Sequence, residues 1–101
     1  MAYIHKKKKS NRNRQFEHKR KERMKVYNTK RWRAIRDWKM ATDPLCEMCK
    51  QDEKVTPAEE VHHVVSFMST DDPDKRYNLA YDYDNLKSLC KGCHQKVHNQ
   101  N

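Results

Sequence analysis

Four cysteines set as two C-x-x-C pairs, "CEMC" (Cys46, Cys49) and "CKGC" (Cys90, Cys93), constrain this chain more than any other feature. The pairs stand 40 residues apart. A chain of 101 residues, of which 35% are hydrophobic, makes one small domain with a modest core, so a cross-link must help hold it together. Disulfides need an oxidising compartment. Here the N-terminus is polar and basic, and no apolar run approaches a secretory h-region or a membrane span. A cytoplasmic location without membrane contact is therefore expected. Two close thiol pairs then point to a metal site, with Cys46, Cys49, Cys90 and Cys93 closing a tetrahedron around one structural zinc ion. Such a site supplies folding free energy that a small core lacks.

The C-terminal run "DNLKSLCKGCHQKVHN" also carries His94 and His98. An alternative has one zinc held by Cys90, Cys93, His94 and His98. Fingers of two cysteines and two histidines place about a dozen residues between the pairs. Cys93 and His94 are adjacent, and on a helix beginning near Cys93 they point in different directions. The all-thiolate site is simpler, and it leaves His94 and His98 on one helix face. The segment "PAEEVHHVVSF", with Val61, Val64, Val65 and Phe67, favours a strand. His62 and His63 are adjacent in it and should face opposite sides. Four of the six histidines fall in these two places, while His5 and His18 have no evident partner.

Charge divides the chain. Residues 1–36 carry 15 Lys and Arg against 2 Asp and Glu, a net of +13, while residues 37–101 carry 8 against 12, a net of −4. A basic arm on a mildly acidic body commonly meets nucleic acid. The division expected is an arm over 1–28, disordered or helical on binding, and one domain over 29–101. Residues 1–15 lack periodicity and read as disordered, and 16–28 as a helix that forms on binding. A helix capped by Thr29 follows, with Trp32, Ile35, Trp38 and Met40 on its core face and Lys30, Arg31, Arg33 and Arg36 opposite. Pro44 ends it. Residues 69–84 read as an acidic loop with one helical turn near Tyr77–Tyr81, and "NLKSL" as a turn or second strand. Lys6, Lys7, Lys8, Lys9, Arg31, Arg33 and Arg36 are the expected contacts to the nucleic-acid backbone, which give affinity without sequence choice. Removing residues 1–25 is expected to weaken that affinity and to spare any chemistry.

The order His62-His63, Asn85, His94, His98, together with "PLCEMC", "NLKSLC" and "CHQKVH", resembles the HNH (ββα-metal) nucleases, over roughly residues 30–99. These motifs are similar to those of small phage-type members with a four-cysteine zinc site. The resemblance implies an α+β fold: a ββα-metal core stapled by that zinc, a preceding amphipathic helix and the basic arm. It implies that His63 is the general base and that His62, His94 and His98 hold a catalytic divalent ion. It implies that Asn85 pins the loop carrying His63. Many phage relatives have Asp where His62 stands, and three imidazoles invite Zn, Ni, Co or Mn more than Mg, so the working ion stays open. Asp82 and Asp84 read as a solvated loop rather than ligands. The function implied is a metal-dependent endonuclease hydrolysing phosphodiester bonds of DNA, double-stranded by family habit, by nicking or double-strand cutting. A place beside the packaging terminase of a phage is a further implication. The alternatives are an RNA-cutting nuclease and a non-catalytic zinc-clamped nucleic-acid-binding module.

Overall fold

Two four-residue strands, β1 (Glu60–His63) and β2 (Leu86–Leu89), pair antiparallel in the register Glu60↔Leu89, Val61↔Ser88, His62↔Lys87 and His63↔Leu86. The computed structural model describes residues 11–99. Around the strand pair lie α1 (Asn11–Tyr27), α2 (Lys30–Thr42), α3 (Glu47–Gln51), α4 (Pro73–Tyr81) and α5 (Lys91–Asn99), in chain order α1-α2-α3-β1-α4-β2-α5. Short 3₁₀ turns at Phe67–Ser69 and Tyr83–Asn85 flank α4. The fold is the small α+β arrangement expected, with "LKSL" of "NLKSL" as the second strand.

The core is small, as the composition requires. Val26, Trp32, Phe67, Ala80 and Leu86 form its buried centre, with Tyr27, Ile35, Val61, Met68, Leu79 and Tyr81 packed against it. Thr29 caps α2 as expected, its hydroxyl accepting from the Trp32 N–H.

Several expectations are corrected. Residues 11–15, expected to be disordered, belong to α1, while residues 1–10 lie outside the described residues. The C-terminal end of that helix is packed rather than free: Val26 is buried, and the Tyr27 ring meets those of Trp32 and Phe67 edge-on at 5.4 and 5.6 Å. Trp38 is 61% exposed and lies against Tyr83, with ring centroids 4.7 Å apart. The inward position one residue on belongs to Lys39, which is buried because its Nζ reaches Asp43 at 2.6 Å and Glu47 at 3.2 Å. A buried ammonium is tolerated when carboxylates meet it.

The acidic stretch read as a loop contains the nine-residue helix α4. Asp72 caps it by accepting from the Asp74 and Lys75 N–H groups, and Pro73 occupies the first turn, where no N–H is needed. Val64 and Val65 lie beyond the end of β1 and are exposed. The last helix starts at Lys91, two residues before Cys93. Among the described residues no helix is long and apolar enough to cross a membrane.

Candidate active site

The thiols converge first. The N–H of Cys46 donates to Thr56 O at 2.7 Å, and the Cys49 N–H turns back to Cys46 Sγ at 3.5 Å, which forms the knuckle around α3. The knuckle closes through Glu53, whose φ of 61° lies in the left-handed region, and the next N–H, of Lys54, donates to Cys49 O at 2.9 Å. Opposite stand Cys90, at the end of β2, and Cys93, in the first turn of α5. All four Sγ atoms lie within 4.8 Å of one another, with Cys49 at 3.8 Å from Cys90 and 3.6 Å from Cys93. A tetrahedron with metal–sulfur bonds near 2.3 Å has edges of about 3.8 Å, so the donor set fits a closed four-thiolate ion.

Burial opposes ionisation of the Cys46 thiol, but the Cys90 and Cys49 N–H groups and the neighbouring thiols outweigh it and draw it down to about 6. Hydrogen bonds with the Cys90 and Cys49 thiols, aided by burial, push Cys93 up to about 12. Four crowded thiols cannot all shed protons without a cation among them.

The imidazoles form a second cluster. His62, His94 and His98 bring ligand nitrogens within 4.8 Å of one another. His94 Nε2 and His98 Nε2 are 2.9 Å apart across one turn of α5. His94 Nδ1 donates to Glu60 Oε2, which fixes the tautomer and leaves Nε2 bare toward the cluster. Glu60 was not singled out in the sequence. Strand alternation puts it on the same face as His62, two residues on, and that periodicity was the available signal. Burial, then repulsion from His94 and His98, lowers the His62 pKa to about 4, so this ring is neutral and ready to ligate at neutral pH. The donor chemistry fits an ion of the kind that imidazole binds.

His63 faces away from that cluster, as alternation predicts, into the core. Its ring stacks on Trp32 with centroids 4.8 Å apart and meets Phe67 edge-on at 4.9 Å. His63 Nε2 lies 3.0 Å from Ala80 O. A carbonyl only accepts, so Nε2 carries the proton and Nδ1 is left as the basic nitrogen. Burial lowers the His63 pKa, an effect partly offset by the bond to Ala80. His63, His62, His94 and His98 nevertheless line one cleft of about 160 Å³, together with Arg23 and Tyr27 from α1.

Asn85 is buried and touches only backbone: its Nδ2 donates to Val65 O and Leu79 O, each at 2.9 Å, and its Oδ1 accepts from the Val65 N–H at 2.9 Å. It thereby ties the chain leaving β1 to the last turn of α4, on both sides of His63. Asp82 and Asp84 are exposed and lie outside both ligand clusters.

Of the expected backbone contacts, Lys6, Lys7, Lys8 and Lys9 lie outside the described residues. Arg31, Arg33 and Arg36 are exposed on α2 but do not line the cleft. Arg31 lies over the Tyr77 and Tyr81 rings at 4.8 and 5.2 Å, Arg33 donates to Asn28 O, and Arg36 pairs with Asp37.

Fold and site define a small ββα centre with one cluster of four thiols and a separate, open cluster of three imidazoles, each able to hold a metal ion, beside the buried His63. The HNH endonuclease family matches residues 46–100, more than half of the chain. A probable HNH endonuclease of Lactococcus phage SK1 is 37% identical over 71 residues, 69% of this chain and 71% of that protein. The crystal structure of the HNH endonuclease of the deep-sea thermophilic bacteriophage GVE2, with a manganese ion, superposes with a TM-score of 0.70 at 25% identity, covering 91% of this chain and 94% of that one. The chain belongs to the HNH endonuclease family and is an enzyme of that class.

Proposed function

We propose that this HNH endonuclease hydrolyses phosphodiester bonds of double-stranded DNA, with His63 as the general base. The observation that carries this is the His63 ring. Its Nε2 proton is committed to Ala80 O, and it lines the cleft that gathers three ligand imidazoles. In-line attack requires water to give up a proton as it meets phosphorus. The basic nitrogen of His63 accepts that proton, and its lowered pKa keeps the ring unprotonated at neutral pH. The stacking on Trp32 and the bond to Ala80 hold the ring in one orientation throughout.

His62, His94 and His98 would hold the catalytic ion, with Mn, Ni, Zn and Mg as the candidates. Such an ion, when bound, neutralises charge on the scissile phosphate and on the departing 3′ oxygen. Glu60 holds His94 in the ligating tautomer. Cys46, Cys49, Cys90 and Cys93 would hold zinc, the ordinary occupant of a closed four-thiolate site. Asn85 positions His63 without touching substrate. Lys6–Lys9 and Arg31, Arg33 and Arg36 meet the DNA backbone. Both relatives named above are phage proteins, which supports a phage-encoded enzyme working in host cytoplasm. A partnership with the packaging terminase is the corresponding role.

The test is incubation of purified protein with supercoiled plasmid in Mn, Ni, Zn or Mg. Cutting by wild type, and loss of about 10²–10⁴-fold in His63→Ala with unchanged metal content, is the expected result. Binding without cutting in every metal would leave a zinc-clamped nucleic-acid-binding module instead.

A further inference from the structure

The cleft described above is poor in fixed positive charge. Among the described lining residues Arg23 is the one Lys or Arg. The scissile group is an anion whose charge redistributes onto its oxygens in the transition state, where aimed donors count most. A guanidinium offers a planar fork of donors matched to phosphate oxygens.

The placement of Arg23 follows from two stripes on α1. Positions 22 and 26 share one stripe, and both are anchored. Glu22 Oε2 lies 3.1 Å from Arg76 Nη1, and Arg76 is itself held by Thr70 O, while Val26 is buried in the core. Positions 23 and 27 make the neighbouring stripe. Tyr27 brings it to His63, with ring centroids 6.3 Å apart, and Arg23 stands one turn further along the same cleft wall. Arg76 and Arg36 pair with carboxylates, whereas Arg23 has no carboxylate partner among the described residues.

We propose that Arg23 is a catalytic residue, its guanidinium donating hydrogen bonds to a non-bridging oxygen of the scissile phosphodiester opposite the imidazole cluster. The proposal rests on the nuclease reading. It also changes what the basic arm contributes: deleting residues 1–25 removes a group of the active cleft, so the reaction of bound DNA suffers along with affinity.

The test uses full-length Arg23→Gln and Arg23→Lys, with single-turnover cleavage at saturating DNA in manganese. Arg23→Gln is expected to lose about 10²-fold in the saturated rate. Arg23→Lys recovers part of it, since a point charge lacks the fork. Manganese affinity, measured by titration calorimetry, and thermal unfolding should both match wild type, because Arg23 supports no ion pair. A saturated rate within about three-fold of wild type would overturn the proposal, since that lies far below the loss of one aimed donor. So would parallel losses of rate, manganese affinity and melting temperature, which mark a structural role. A wild-type protein inactive in every metal would overturn the nuclease reading itself and take the proposal with it.

Discussion

Consider the replacement of Asn85 by alanine. The amide makes three hydrogen bonds, to Val65 O, Leu79 O and the Val65 N–H, all at 2.9 Å, and the residue is 8% exposed, so water cannot easily take its place. At about 1 kcal/mol net for each bond, the variant should lose about 3 kcal/mol of stability. For a domain of this size that is a fall in melting temperature of roughly 12–24 °C. Leu79 precedes Ala80, whose carbonyl holds His63, so the base should lose its fixed orientation even where the variant stays folded. Asn85→Asp keeps the bond from the Val65 N–H but sets a carboxylate against two carbonyls, and should fall at least as far. Thermal unfolding of the zinc-loaded proteins by circular dichroism measures the loss, and saturated cleavage below the transition measures the effect on His63. A melting temperature within about 4 °C of wild type would refute the bond-by-bond reasoning. Weakened DNA binding at unchanged stability would mean instead that Asn85 contacts substrate.

Two further outcomes are expected. Cys46→Ser or Cys93→Ser should each lose about one zinc per chain and the cooperative unfolding transition, measured by atomic absorption and calorimetry, because each of the four converging thiols would hold one corner of the same tetrahedron. Lys39→Met should cost about 1–3 kcal/mol by leaving Asp43 and Glu47 without their shared cation. Burial by itself would lower the Lys39 pKa, but hydrogen bonds to Asp43 and Glu47 outweigh it and hold the pKa above 10.5. A raised pKa in the fold means stability that is fully present below pH 10.5 and lost as pH climbs through the folded value. Urea titrations at rising pH should therefore show a larger alkaline loss in wild type than in Lys39→Met.

The two convergent clusters, four thiols and three imidazoles, were legible because metal chemistry fixes residue type and spacing. Two C-x-x-C pairs have few uses in a small, highly charged chain other than holding a metal ion, and alternation along β1 separates His62 from His63 whatever the packing. Packing was harder to foresee. Trp38 has the composition of a core residue, yet α2 turns Lys39 inward, because two carboxylates from the following turn and knuckle neutralise it. Helix α4 hid in a stretch whose acids suggested a loop, although Asp72-Pro73 is a cap followed by a first-turn proline. Glu60 and Arg23 were passed over for a different reason. Each acts through a partner distant in sequence, His94 in one case and the cleft wall in the other, and local pattern carries no record of such a meeting.

Helix α5 places Cys93 and His94 side by side and His98 one turn later. A nine-residue rod therefore carries part of both clusters. With an ion in each cluster, seating the thiolate clamp would set the angle of the rod and with it the spread of the imidazoles, and by reciprocity whatever affinity the second ion gained from the first, the first would gain from the second. Stripping one ion by chelation should loosen the other, so the two should leave along a shared curve rather than as two independent steps.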